Sequence, residues 1–171
     1  MWGAAQFAWL KDALRSSNAP FKIVVNGNQV LNPLAVFENL STFPFERQRL
    51  IDFIREARIE GVMFLSGDRH HTELIRLNEP GLYPLYDFTS SALTSGGSRL
   101  EGEANNPARV AGTWITAQRN FGLLEFSGTA RDRRLVMRTL DTQGRELWRR
   151  EVKASELAFP KTIAADAQKK S

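Results

Sequence analysis

Gly61-Val-Met-Phe-Leu-Ser-Gly-Asp-Arg-His-His71 decides the architecture. Val62 to Leu65 form an unbroken apolar run too short for a helix, the pattern of a strand buried on both faces, and Ser66 to His71 turn it at once into a polar loop. Working back from it, Leu50, Ile51, Phe53 and Ile54 repeat at helical spacing, so a helix is expected over Phe45 to Ala57. Ser41 or Thr42 would cap it, and Pro44 would sit near its first turn. Before that helix, Phe21-Lys-Ile-Val-Val25 reads as another strand buried on both faces, running into the polar loop Asn26-Gly-Asn-Gln29. A first helix, Ala5 to Arg15, carries Phe7, Leu10 and Leu14 on one face and is stopped by Ser16-Ser-Asn-Ala-Pro20. Strand, helix, strand, with a polar loop after each strand, predicts βαβ connectivity and parallel strands. Ligands of such sheets gather at the carboxyl ends of the strands, so the two loops are expected to share one site.

Working forward, Tyr83-Pro-Leu-Tyr-Asp-Phe88 reads as a further strand, followed by a Ser- and Gly-rich stretch, Thr89 to Ser98, and a polar run through Pro107 that is expected to be irregular, and either flexible or facing the site. Gly122–Phe126, Arg134–Leu140 and Glu146–Val152 are expected to be three antiparallel strands, with Asp141-Thr-Gln-Gly144 as the hairpin turn between the last two. The domain is expected over 1–157, with 158–171 as a polar tail that frays. The fold class is therefore α/β with antiparallel strands near the C-terminus.

The bulk numbers exclude several alternatives. At 171 residues, 42% hydrophobic and 25% charged, the chain suits one globular domain. It has no cysteine, so thiolate metal sites and disulfides are ruled out and any metal must be held by His, Asp, Glu, Asn or Gln. The net charge of +4 is scattered, without the aromatic and basic stripe of a nucleic-acid face, so no nucleic-acid partner is expected except as a phosphodiester substrate. No apolar run approaches the roughly 20 residues that span a bilayer, which argues against a membrane role. No signal-peptide pattern opens the sequence, so the chain as written is expected in the cytoplasm; a precursor with an export signal would place it in the periplasm or outside the cell.

The two histidines are adjacent and sit beside a carboxylate. In an extended or irregular stretch Asp68 and His70, two residues apart, point the same way and His71 points elsewhere. Asp68 and His70 together suit a metal that accepts both oxygen and imidazole, and such a metal polarises a phosphoryl oxygen and activates water. The competing reading is a solvated turn in which Asp68 caps the next segment. A metal also needs four or more donors, and this segment offers two or three.

Phe64-Leu-Ser-Gly-Asp-Arg-His-His71, preceded by Phe45-Glu-Arg-Gln-Arg-Leu-Ile-Asp-Phe-Ile54, resembles the C-terminal motif of PhoD-like (alkaline phosphatase D) phosphatases, a branch of the calcineurin-like metallophosphoesterases. Gln6 to Gln29, Tyr86 to Ser91 and Asn120 to Glu125 are similar to other landmarks of that family, so the resemblance covers about residues 3 to 157. It implies the C-terminal half of a four-layer α/β/β/α sandwich and hydrolysis of phosphate monoesters or diesters. It also implies metal ions (iron, calcium, manganese or zinc) held by His70 and Asp68, with Asn28 at a position that is His in the wider superfamily. Arg69 would contact phosphate, and His71 would serve as acid for the leaving group. The family's Asp-x-His, Gly-Asp and Gly-Asn-His motifs precede the part this chain resembles. The isolated chain is therefore expected to bind metal poorly and to be inactive until an N-terminal half of the catalytic domain is supplied, and its sheet is expected to leave an edge or face uncovered. The other reading consistent with the resemblance is a non-catalytic fragment or interaction domain of the same fold, without metal.

Overall fold

A computed structural model describes residues 1–37, 39–95 and 101–160. The periodicity of the first segment is realised in α1 (Gly3–Ser16), where Phe7, Leu10 and Leu14 are the buried residues. Strand β1 (Lys22–Val25) follows, and α2 (Pro44–Glu56) buries Leu50, Ile51, Phe53 and Ile54. Helix α2 starts one residue before the expected point. Its N-cap is Phe43, with Pro44 at the first position. Neither Ser41 nor Thr42 caps it, because their hydroxyls are spent one turn earlier: Ser41 Oγ donates to the Asn32 carbonyl, and Thr42 Oγ1 to that of Asn39 at 2.7 Å. Then come β2 (Val62–Ser66), β3 (Thr72–Leu77) and β4 (Leu85–Ser90), and finally β5 (Asn120–Ser127), β6 (Arg134–Asp141) and β7 (Glu146–Lys153).

The first four strands form one sheet in the order β1-β2-β4-β3. β1 runs parallel to β2, as the βαβ reading requires, and β2 runs parallel to β4 with β3 rather than a helix between them in the chain. β3 is antiparallel to β4, a strand that the Asp- and His-rich loop masked in the sequence. β1 is not buried on both faces: it is the edge strand, and Val25 is 72% exposed. The remaining three strands form the antiparallel sheet β5-β6-β7. The β6–β7 turn closes where expected, with Gly144 N donating to Asp141 O at 3.0 Å and Gly144 taking φ 78°.

Alternation along β4 fixes the layers. Asp87 points to one face, where its carboxylate accepts from the backbone N–H groups of Val30 and Leu31. Arg47 of α2 holds the carbonyls of those same two residues. Phe88 points to the other face and meets Trp148 of β7 edge-on, ring centroids 5.1 Å apart. The order is helices, mixed sheet, antiparallel sheet. Gly122 permits the two sheets to approach: a Cβ there would lie 2.8 Å from Phe88 Cζ and 2.9 Å from Ser90 Oγ. The C-terminal turn Ala154–Leu157 returns to the mixed sheet, with Leu157 O accepting from Gly61 N at 2.8 Å. Phe159 is buried against Tyr83 at 5.3 Å. Of the expected tail, 161–171 lie outside the described residues, as do 96–100 of the Ser- and Gly-rich stretch.

Asp87 is wholly buried, and its Oδ1 accepts from Ser66 Oγ at 2.7 Å while Oδ2 takes Val30 N and Leu31 N at 2.7 and 2.9 Å. Burial pushes this carboxyl above its ordinary range, and the Leu31, Ser66 and Val30 hydrogen bonds only partly oppose the shift. Asp87→Ala would strand three donors in the interior and is expected to lower stability by about 3 kcal/mol or more. Asp87→Asn, which keeps the shape and an accepting oxygen, should lose less than half of that. Urea unfolding of the two variants checks the ranking, and an alanine variant as stable as the parent would overturn it.

Candidate functional site

The loops that follow β1 and β2 lie side by side because the strands are parallel neighbours. Two backbone hydrogen bonds clamp them: Asn26 N donates to Leu65 O at 3.0 Å, and Gly67 N to Gly27 O at 3.0 Å. Asn26 braces the first loop further, its Oδ1 accepting from Trp2 Nε1 at 2.9 Å and its Nδ2 donating to the Asn28 carbonyl at 2.6 Å. Beside the clamped loops is a cavity of about 640 Å³, lined by Asn26, Asn28, Ser66 and Asp68, with Phe88 and Leu124 supplying apolar wall. Of the residues singled out in the sequence, Asn28 and Asp68 come together here.

The 67–71 connection explains the placement of the others. β2 and β3 are separated by β4, so the chain must cross two strand spacings, roughly 9.6 Å, and reverse direction within five residues. Asp68 (φ 66°) and His70 (φ 53°) take left-handed backbone conformations to do so, which is uncommon for residues with a side chain. Burial alternates: Asp68 and His70 are exposed, whereas Arg69 is 6% exposed and His71 is fully buried. His70 is on the solvent side and does not line the cavity. Arg69 turns inward, pairing with Glu103 and donating to the Val36 carbonyl at 3.1 Å, with its guanidinium over the Phe37 ring. His71 also turns inward, its Nδ1 3.0 Å from the Arg69 carbonyl and its ring edge-on to Trp114.

Beneath the loop is a buried polar network that sequence reasoning missed. Glu73 Oε1 accepts from Gln29 Nε2 at 2.6 Å, and Oε2 from Arg109 Nε at 2.5 Å. Gln29 Nε2 also donates to Thr89 Oγ1, which lies 3.0 Å from Ser66 Oγ and so joins the network to Asp87. Asn32 and Asn106 extend it to Glu103. His71 Nε2 is 3.2 Å from Glu73 Oε1, within electrostatic reach, but its geometry makes no directed hydrogen bond. Burial alone would raise the Glu73 carboxyl; His71 and Arg109 outweigh it and hold the group below its ordinary value of 4.5.

Ligand atoms of His71, Glu73 and Glu103 lie within 4.8 Å of one another, a group that could bind a metal by spacing and donor type. Its charges are already balanced, since Arg109 occupies Glu73 and Arg69 occupies Glu103. A cation there would have to displace two guanidinium groups, so these residues fit a metal poorly as arranged. At the larger cavity Asn28 and Asp68 are oxygen donors of the right kind, yet two are too few to complete a metal centre.

Paired polar loops at the carboxyl ends of parallel strands are where α/β sheets bind ligands. The family model of PhoD-like phosphatases matches residues 1–133, and the chain belongs to that family. Among solved structures, one titled "Structure of PhoD" is similar with a TM-score of 0.61 and 18% sequence identity over 88% of this chain. The match spans 35% of that structure's chain, so this chain corresponds to about a third of its length. The shared fold is mixed α/β and includes an antiparallel sheet. No curated protein matches the chain.

The Glu73 pairing makes a signed pH prediction. A carboxyl whose folded pKa is depressed contributes stability above its unfolded value and loses it as pH falls through the folded one. Stability should therefore drop as pH falls below 4.5. Glu73→Gln should be less stable at neutral pH and show a flatter acid limb in melting temperature against pH. Parallel acid limbs for parent and variant would rule this out.

Proposed function

We propose that the chain is one part of a metal-dependent phosphoric ester hydrolase, built as the C-terminal portion of a four-layer α/β/β/α sandwich. The observation that carries this reading is the Gly67 N to Gly27 O hydrogen bond, which places Asn28 and Asp68 on one cavity at the carboxyl ends of parallel strands. Membership of the PhoD-like family supports phosphate esters as substrates. The helix, sheet, sheet layering supports the sandwich, since it supplies three of the four layers and a helical layer outside the antiparallel sheet would complete it, while the open β1 edge can accept further strands.

In this proposal Asp68 and Asn28 present oxygen atoms to the site, and exposed His70 is free of the fold to contribute an imidazole. Metal ions, when bound, supply the positive charge that polarises the phosphoryl group. The chain's own contribution is positional. The Gly27–Gly67 clamp holds the two donors together, and Arg69 and His71 lock the loop from below, so both serve as positioning residues here. The remaining donors come from a further segment of the catalytic domain.

Aryl phosphate monoester and diester assays, run with manganese, iron, calcium or zinc, test the proposal. The chain alone should show negligible turnover and substoichiometric metal. Addition of the N-terminal segment of a family member should bring activity, which Asp68→Asn or His70→Ala should reduce by about 100-fold. Robust turnover by the chain alone would overturn the partial-centre reading. Activity of the complemented assembly that is indifferent to both substitutions would overturn the residue assignments. A complemented assembly without activity would favour the non-catalytic domain.

No helix among the described residues is long and apolar enough to cross a membrane. Cytoplasmic location for the chain as it stands, and the periplasm or exterior for an exported precursor, form part of the same proposal.

A further inference from the structure

We propose that a second cavity, between β3, β4 and β7, binds a tetrahedral oxyanion: phosphate, or the phosphate end of a larger ligand. It measures about 290 Å³ and is lined by Arg76, Asn78, Tyr86, Arg109 and Arg150, among others, with no carboxylate in its wall.

Arg150 carries most of the argument. It stands opposite the buried Met137 on β6, and its same-face neighbours on β7, Trp148 and Val152, are buried. By strand alternation its side chain therefore takes the inner face of the antiparallel sheet, the face on which Trp148 meets Phe88. Its Nε is buried and has no hydrogen-bond partner. Arg150 is half-buried, and a buried guanidinium nitrogen without an acceptor costs stability that an apolar residue at this position would not. Arg76, opposite Tyr86 on the β3–β4 ladder, brings a second cation to the same cavity.

Among the described residues no ion pair joins Arg76 or Arg150 to a carboxylate. Arg109 differs: Glu73 and the carbonyls of Ala104 and Glu103 already engage it, so it forms wall rather than unmet charge. Two unbalanced guanidinium groups facing one small space match a doubly charged oxyanion, which planar donor forks bind in bidentate fashion. The volume admits phosphate or a phosphorylated head group but not an extended nucleotide. This cavity shares no lining residue with the one beside Asn28 and Asp68. Along β4 their nearest lining residues are Tyr86 of the one and Phe88 of the other, roughly 7 Å apart.

Thermal unfolding of the purified chain tests the assignment, comparing sodium phosphate with sodium chloride at matched ionic strength. At about 10 mM phosphate, roughly tenfold above a millimolar Kd, the melting temperature should rise by about 3 to 6 °C. Arg150→Gln should abolish the rise and Arg76→Gln should reduce it, whereas Asp68→Asn, at the other cavity, should keep it. Arg150→Met should melt higher than the parent in phosphate-free buffer and ignore phosphate. Should the Arg150 variants fail to fold, the exposed Arg76→Gln carries the test. A larger rise with glycerol 2-phosphate than with inorganic phosphate assigns an esterified ligand, and the reverse assigns the free ion. Equal melting in phosphate and chloride, or a phosphate effect that survives substitution at both arginines, would overturn the proposal.

Discussion

The buried carboxylate of Asp87 is the constraint on which the rest of the molecule depends. A strand interior rarely tolerates such a group, and here it is satisfied only because the chain following β1 brings two backbone N–H groups, Val30 and Leu31, onto it, while β2 brings Ser66. One side chain thus joins the central strand β4, its neighbour β2 and the loop that carries Asn28. Remove the acceptor, and the polar backbone of that loop has no reason to enter the interior. The loop's position over the cavity is therefore a by-product of satisfying buried hydrogen-bond donors.

The same logic spreads outward. Thr89 accepts from Gln29, and the network branches there, to Glu73 on one side and through Asn32 to Glu103 on the other, the two branches ending on the inward arginines Arg109 and Arg69. Such a network specifies one arrangement of loops more sharply than an apolar filling would, because most alternatives leave a buried polar group unpaired. The floor below Asp68 is consequently rigid and charge-balanced, while Asp68 and His70 above it face solvent. Rigid support beneath exposed donors is the arrangement a functional loop needs.

Local signals were legible in the sequence wherever the physics is local. Phe7, Leu10 and Leu14 declared their shared face by spacing, and the Asp141–Gly144 turn declared itself by a residue suited to positive φ. Parallel pairing of β1 with β2 followed from strand, helix, strand. What stayed hidden was long-range. Val25 has the composition of a buried residue, and only the strand order shows that it lies on an edge. β3 was obscured because Thr72-Glu-Leu-Ile75 places a carboxylate inside an apolar run; Gln29 and Arg109, distant in sequence, are what make that charge tolerable. Glu73 in that setting was the one available hint of the network. For the loop, spacing anticipated the exposure that Asp68 and His70 share, but not that Asp68 would line the cavity without His70, nor that Arg69 would be drawn under the loop by Glu103.

The crossing from β2 to β3 over the end of β4 has a consequence for how this segment can change. Its five residues alternate between solvent and interior, and both ends are pinned in a sheet, so what is fixed is the number of residues as much as their identity. One residue more or fewer would exchange the two sets, sending the aspartate and its companion imidazole downward and raising the arginine and the second histidine into solvent. Substitutions can vary this loop one position at a time, but insertions and deletions invert it. A lineage could thus lose or alter the chemistry at Asp68 and His70 and still keep the length of the segment, because the fold below demands that length on its own account.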